Sequence, residues 1–140
     1  MAIATAGIID QNWANELRLM IAGDHYVDYY IETINYGNNI PIDSADAEAI
    51  RGDLVFIDSI TGLKFRETQN INAGDIIFTQ VDDQFFDNPI DEGTLGYTAL
   101  LTDEYGSYFD IVYSDNENTW PYDNITIWHE IGHALGLDHP

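Results

Sequence analysis

The chain has 140 residues, 45% hydrophobic and 21% charged, which is enough apolar side chain for one compact domain and too little length for two. Against 25 acidic residues stand four basic ones, and the formal net charge of −21 repels a phosphate backbone, so nucleic acid is excluded as a natural partner. The absence of cysteine excludes disulfide frameworks and thiolate metal sites.

Met1 to Asn15 lacks the basic start and long apolar run of a secretory signal, and no segment approaches the roughly 20 apolar residues of a membrane span. Leu17 to Ile21 and Val27 to Ile34 are runs rich in β-branched and aromatic residues, followed by turn chemistry at Asn35-Tyr36-Gly37-Asn38-Asn39. This pattern predicts a strand or hairpin region ending near residue 35. After Pro41, Ser44 is a candidate N-cap, and Ala47, Ile50, Leu54 and Ile57 recur at spacings of three and four, which predicts a helix over 45–59.

Gly62 breaks that helix, Leu63 to Glu67 alternates as a short strand, and Asp75 to Gln80 is a compact β-type run. Asp82 to Gly93, acidic and interrupted by Asn88-Pro89, reads as a loop; Leu95 to Leu101 and Tyr108 to Tyr113 read as strands joined by a turn over Thr102 to Ser107. Pro121 suits the first turn of a helix, so a final helix is expected near 122–136. Its buried stripe is expected at Ile125, Trp128, Gly132 and Leu135, with Gly132 allowing close approach to the sheet. No internal repeat or low-complexity linker interrupts the chain, which supports a single unit over 1–140.

The chemistry concentrates in that last helix. His129 and His133 are four apart, so both imidazoles project from one side and can converge on one metal ion. Gly136 stands where the helix should stop and lets the chain turn to bring His139 back as a third ligand. Three neutral imidazoles leave one tetrahedral position open, as in a catalytic zinc site, where bound water has a pKa of about 7. Glu130, rotated around the helix from His129, is placed as the general base for that water. The bland alternative is a set of ordinary histidines on a surface helix. Three imidazoles also accept Cu²⁺, Ni²⁺ or Co²⁺.

His129-Glu130-Ile131-Gly132-His133-Ala134-Leu135-Gly136-Leu137-Asp138-His139 resembles the extended zinc signature of the metzincins, H-E-x-x-H-x-x-G-x-x-H, at all its fixed positions. The resemblance is closest to the matrixin and serralysin-like group. The helix at 45–59 with Gly62-Leu63-Lys64-Phe65 resembles the group's first helix and following strand, and Gly74 to Phe78 its central strand. Leu95 to Leu101 is similar to the edge strand that pairs with an extended substrate, and Tyr113 to Trp120 to the acidic segment before the active-site helix.

The element pattern and this resemblance together predict an α+β fold: a zincin-like (metzincin) upper subdomain with a twisted, mostly parallel sheet of four or five strands and two main helices. The resemblance implies a zinc-dependent metalloendopeptidase acting on protein or peptide substrates through a zinc-bound water, with Glu130 as base and an extracellular location. It departs from the group after the motif: Met1 and Met20 are the only methionines, neither can form the methionine turn, and only Pro140 follows the third ligand. The lower subdomain is therefore expected to be absent from this chain. A second reading is a non-catalytic zinc-holding binding or assembly module, for example in a larger secreted or viral particle. A third is a fragment of a longer active peptidase.

Asp115 and Glu117 fall near positions where matrixins carry structural-calcium carboxylates, with Asp82 and Asp83 as alternatives; a plain acidic loop is the competing reading for each. His25, far from the motif, reads as a solvated loop histidine. Tyr97, Tyr105 and Tyr108 are cleft or packing residues.

Overall fold

A computed structural model describes residues 10–82, 96–115 and 122–139, with side chains for all of these except 115 and 122–124. It is an α+β arrangement: three α-helices and a mostly parallel sheet.

The chain opens with α1, Gln11–Met20, where the sequence pattern had pointed to a strand through Leu17 to Ile21. The helix wins because Asp10 caps it, its carboxylate accepting the Asn12 and Trp13 N–H groups, and because Trp13, Leu17 and Met20 share one face that packs on the core. β1, Tyr26–Ile31, follows, so the first β region ends earlier than residue 35. His25 lies between them, exposed and at φ 66°, as a loop histidine.

β2, Asn39–Ile40, is a two-residue strand that the sequence pattern did not show. It pairs antiparallel with β4, Ile76–Asp82, just beyond the point where β1 leaves it, which raises the sheet to six strands instead of four or five. α2, Ser44–Thr61, is capped by Asp43, whose side chain accepts the Asp46 N–H, so Ser44 is the first helical residue and not the cap. Gly62 ends α2 in the left-handed conformation, φ 74°, as a β-carbon would resist.

β3, Lys64–Glu67, forms one edge of the sheet. Its outward charges are neutralised locally: Arg66 bridges Asp24 and Asp28, Lys64 meets Asp58, and Arg51 of α2 grips Glu67. β4, Ile76–Asp82, is central and runs parallel to both β1 and β6. β5, Gly96–Asp103, and β6, Gly106–Asp115, form an antiparallel hairpin, and β5 is the other edge.

Alternation along the strands assigns two faces. Ile76 and Phe78 of β4 with Phe109, Ile111 and Tyr113 of β6 meet the helices in one core, which α2 enters through Ala47, Ile50, Leu54 and Ile57. On the opposite face, Ile77, Val81, Val112 and Asp110 floor a groove of about 510 Å³ that Tyr97, Tyr105 and Tyr108 also line and that none of the histidines lines.

α3, Tyr122–Ala134, closes the core over β5 and β6. Its fully buried apolar residues are Ile127, Ile131 and Ala134; of the expected stripe, Trp128 and Leu135 pack half-buried against the same core, Trp128 with its ring centroid 5.3 Å from that of Phe56 of α2, whereas Ile125 is 62% exposed. Apolar residues occur on several sides of this helix, so spacing alone allowed more than one rotation. Gly132 is not at a close approach either, since a β-carbon there would meet only Leu137 at 3.7 Å. Pro121, Asp83 and Glu117 lie outside the described residues.

Candidate metal centre

α3 ends in a Schellman-type turn: the Gly136 N–H bonds the His133 carbonyl at 2.8 Å, and the Leu137 N–H reaches back to Gly132 at 2.9 Å. Gly136 has φ 91°, and a β-carbon there would lie 2.9 Å from Cβ of Ala14 and 3.1 Å from its Cα. Glycine is thus needed twice, for the backbone conformation and for the contact with α1. The Asp10 N–H donates to the Gly136 carbonyl at 2.8 Å, so the start of α1 is bonded directly to the turn after α3. That clamp brings residues 137–139 back beside the helix.

The result is convergence of three imidazoles. Nε2 of His129 lies 2.9 Å from Nε2 of His133 and 3.0 Å from Nε2 of His139, and the three ligand atoms all fall within 4.8 Å of one another. His129 and His139 are exposed and His133 is half-buried, so the cluster opens to solvent. Nδ1 of His133 is 2.7 Å from the Leu137 carbonyl oxygen, which can only accept. Nδ1 therefore carries the proton, and Nε2 presents its lone pair to the cluster. These three histidines could hold a metal ion.

Glu130 follows His129 on α3, about 100° further around the helix, and is 5% exposed. It lines the same cleft, of about 340 Å³, as the three histidines, with Asp10, Trp13, Gly96, Tyr97, Thr98, Leu137 and Asp138. Thr98 of β5 lies 2.7 Å from Glu130 Oε2 through its hydroxyl and 2.9 Å from the Glu130 carbonyl oxygen. β5 is close here: a β-carbon on Gly96 would sit 2.8 Å from Thr126 Cγ2 and 3.4 Å from Glu130 Cγ. A buried carboxylate beside an open cluster of lone pairs can take and return a proton within the cleft.

All four residues of the motif are therefore brought together. Of the tyrosines, Tyr97 lines both this cleft and the groove on the other face of the sheet, whereas Tyr105 and Tyr108 line only the groove. Among the calcium candidates, Asp82 is exposed at the end of β4 and is paired in register with Asp115, and the histidines are the one group of three metal-ligating side chains found among the described residues. The motif gave no sign of Thr98, Gly96 or Trp13. Asp10 was findable, as an N-cap ahead of the Trp13, Leu17, Met20 spacing. A scan against protein-family models and a search of curated proteins each found no match for this chain.

Proposed function

We propose that the chain is a zinc-dependent endopeptidase of metzincin type, with His129, His133 and His139 as zinc ligands and Glu130 as general base. The observation that carries the reading is the convergence of three Nε2 atoms beside a buried carboxylate in one cleft. A tetrahedral zinc with Zn–N bonds of about 2.0–2.1 Å separates its nitrogens by roughly 3.3 Å, so the 2.9 and 3.0 Å spacings need only a small outward movement. The all-imidazole donor set suits zinc, and it leaves a coordination position open.

Zinc held there would polarise a peptide carbonyl and acidify a water molecule. The remaining chemistry belongs to the chain. Glu130 receives the water's proton on its carboxylate and passes it to the leaving amine, and its burial shields that transfer from bulk solvent. β5 has an edge that no described strand pairs, and Gly96, Tyr97 and Thr98 at its start line the cleft. An extended peptide adding to that edge would bring its carbonyls toward the histidines, with backbone hydrogen bonds supplying orientation.

Retention of a buried carboxylate next to the cluster supports an enzyme over a purely structural zinc, which needs no base and closes its fourth position with a protein ligand. The deciding experiment reconstitutes the chain with zinc and follows cleavage of an unfolded protein substrate. Zinc-dependent cleavage that disappears in Glu130→Ala supports the reading; stoichiometric zinc without cleavage in any form that carries this sequence returns it to a non-catalytic module.

A further inference from the structure

We propose that Thr98 is a positioning residue for Glu130: its hydroxyl holds carboxylate oxygen Oε2 and thereby reserves Oε1 for the proton taken from the attacking water. The proposal rests on the peptidase reading above.

A carboxylate 5% exposed must find its hydrogen bonds within the protein. The hydroxyl of Thr98 supplies one at 2.7 Å to Oε2, with the Glu130 carbonyl oxygen as a second acceptor at 2.9 Å. One hydroxyl carries one proton, and the charged acceptor binds it more strongly, so the proton points at Oε2. That oxygen accepts in both states of the reaction. When Glu130 is ionised, Oε2 is half of a carboxylate; when Oε1 has taken the water's proton, Oε2 is the carbonyl of the acid. The Thr98 bond persists while the proton arrives on Oε1 and leaves again for the amine, and the carboxyl group does not swing between steps.

The backbone is built to bring the hydroxyl there. Gly96 and Thr98 lie on the same side of β5, and the absence of a side chain at Gly96 lets the strand run close over Thr126 and Glu130. Thr98 is fixed along the strand by its register opposite Ile111 of β6. Because β5 is also the edge that lines the cleft, a peptide pairing with it settles on the strand that orients the base.

The test compares the full chain, loaded with Co²⁺, with Thr98→Ser and Thr98→Val, each checked for folding by circular dichroism; Thr98→Ala replaces the valine variant should that not fold. Metal affinity is read by chelator competition. Affinity for acetohydroxamate, whose hydroxyl donates to the free oxygen of the base, is read from the cobalt visible spectrum. All forms should hold the metal within about twofold, while the valine variant loses about tenfold or more in acetohydroxamate affinity and the serine variant recovers it. In peptide cleavage, kcat should fall about 10- to 100-fold for valine with KM little changed. Equal hydroxamate affinity and kcat in parent and valine variant overturn the proposal, as does a serine variant as impaired as valine or a valine variant that loses the metal. A parent that holds Co²⁺ but neither binds acetohydroxamate nor cleaves peptide brings down the peptidase reading, and this proposal with it.

Discussion

Nδ1 of His133 stands 2.7 Å from the carbonyl oxygen of Leu137, and this contact ties the second imidazole of the cluster to the segment that leads to the third. The carbonyl fixes the tautomer of His133, and the two Schellman-type bonds around Gly136 fix the path of the chain between them. Helix end, turn and histidine cluster are one unit. The predictions below probe its parts and its surroundings.

The chain should bind one equivalent of zinc through His129, His133 and His139. Metal analysis after chelation and reconstitution measures the stoichiometry. His133→Ala should lower affinity by more than about 100-fold, since a lost ligand costs more than a lost outer partner. A triple alanine variant that retains stoichiometric zinc would show that the metal sits elsewhere.

Glu130→Gln should keep the metal and lose peptidase activity by about 10²- to 10⁴-fold, because the amide cannot take the proton while the ligands are untouched. Parallel measurement of zinc content and kcat separates the two effects. Unchanged turnover would remove Glu130 from the mechanism.

Gly136→Ala should be among the most damaging small substitutions. The new β-carbon would face φ 91° and a 2.9 Å contact with Ala14, costing about 1–3 kcal/mol in stability. Relief by moving α1 or the turn displaces His139, so zinc affinity should fall with stability. Denaturant unfolding of the apo protein and chelator competition test both; a stable variant with parental zinc affinity would mean that the clamp from α1 does not hold the third ligand.

Asp75 gives a pH signature independent of the metal. Burial pushes its carboxyl from 3.8 up to about 6, the Asp28 and Asp24 carboxylates add to the rise, and the Asp28 backbone N–H that it accepts, with Arg66, opposes it. Between about pH 4 and 6 the folded chain keeps a proton that the unfolded chain has released, so this group makes stability fall as pH rises through that window. Below it there is no cost; above it the full cost remains. Asp75→Asn, whose side-chain oxygen can still accept the Asp28 N–H, should stabilise the protein at pH 7.5 by about 0.5–2 kcal/mol after allowance for partial exposure, and change little at pH 4. Thermal unfolding at the two pH values checks it, and equal shifts at both would refute the assignment.

How much was legible depended on whether the signal was local. α2 was readable because Ala47, Ile50, Leu54 and Ile57 form a single buried stripe and Gly62 supplies an unambiguous stop. β4 was readable because Ile76 to Phe78 form a run buried on both faces of a central strand. α1 was not, because Leu17 to Ile21 are β-type by residue type, and the helix is decided by the Asp10 cap and by the packing of Trp13 against Phe109, ring centroids 5.4 Å apart. The face of α3 was legible in part, at Trp128 and Leu135; Ile125 and Ile127 look alike in the sequence, and the packing of Ile127, Ile131 and Ala134 on the sheet decides between them.

By itself the sequence determined which side chains could hold a metal ion. The spacing of His129, Glu130 and His133 within one helix is dictated by helical geometry, and Gly136 is the local device that ends the helix before His139. Only the tertiary structure decided what surrounds those residues: that α1 closes against Gly136, that Leu137 orients His133, and that Thr98 reaches Glu130 from a strand 32 residues away. These contacts depend on strand register and on how two helices meet. Both are set by burial summed over the whole core, so no short stretch of sequence carries them.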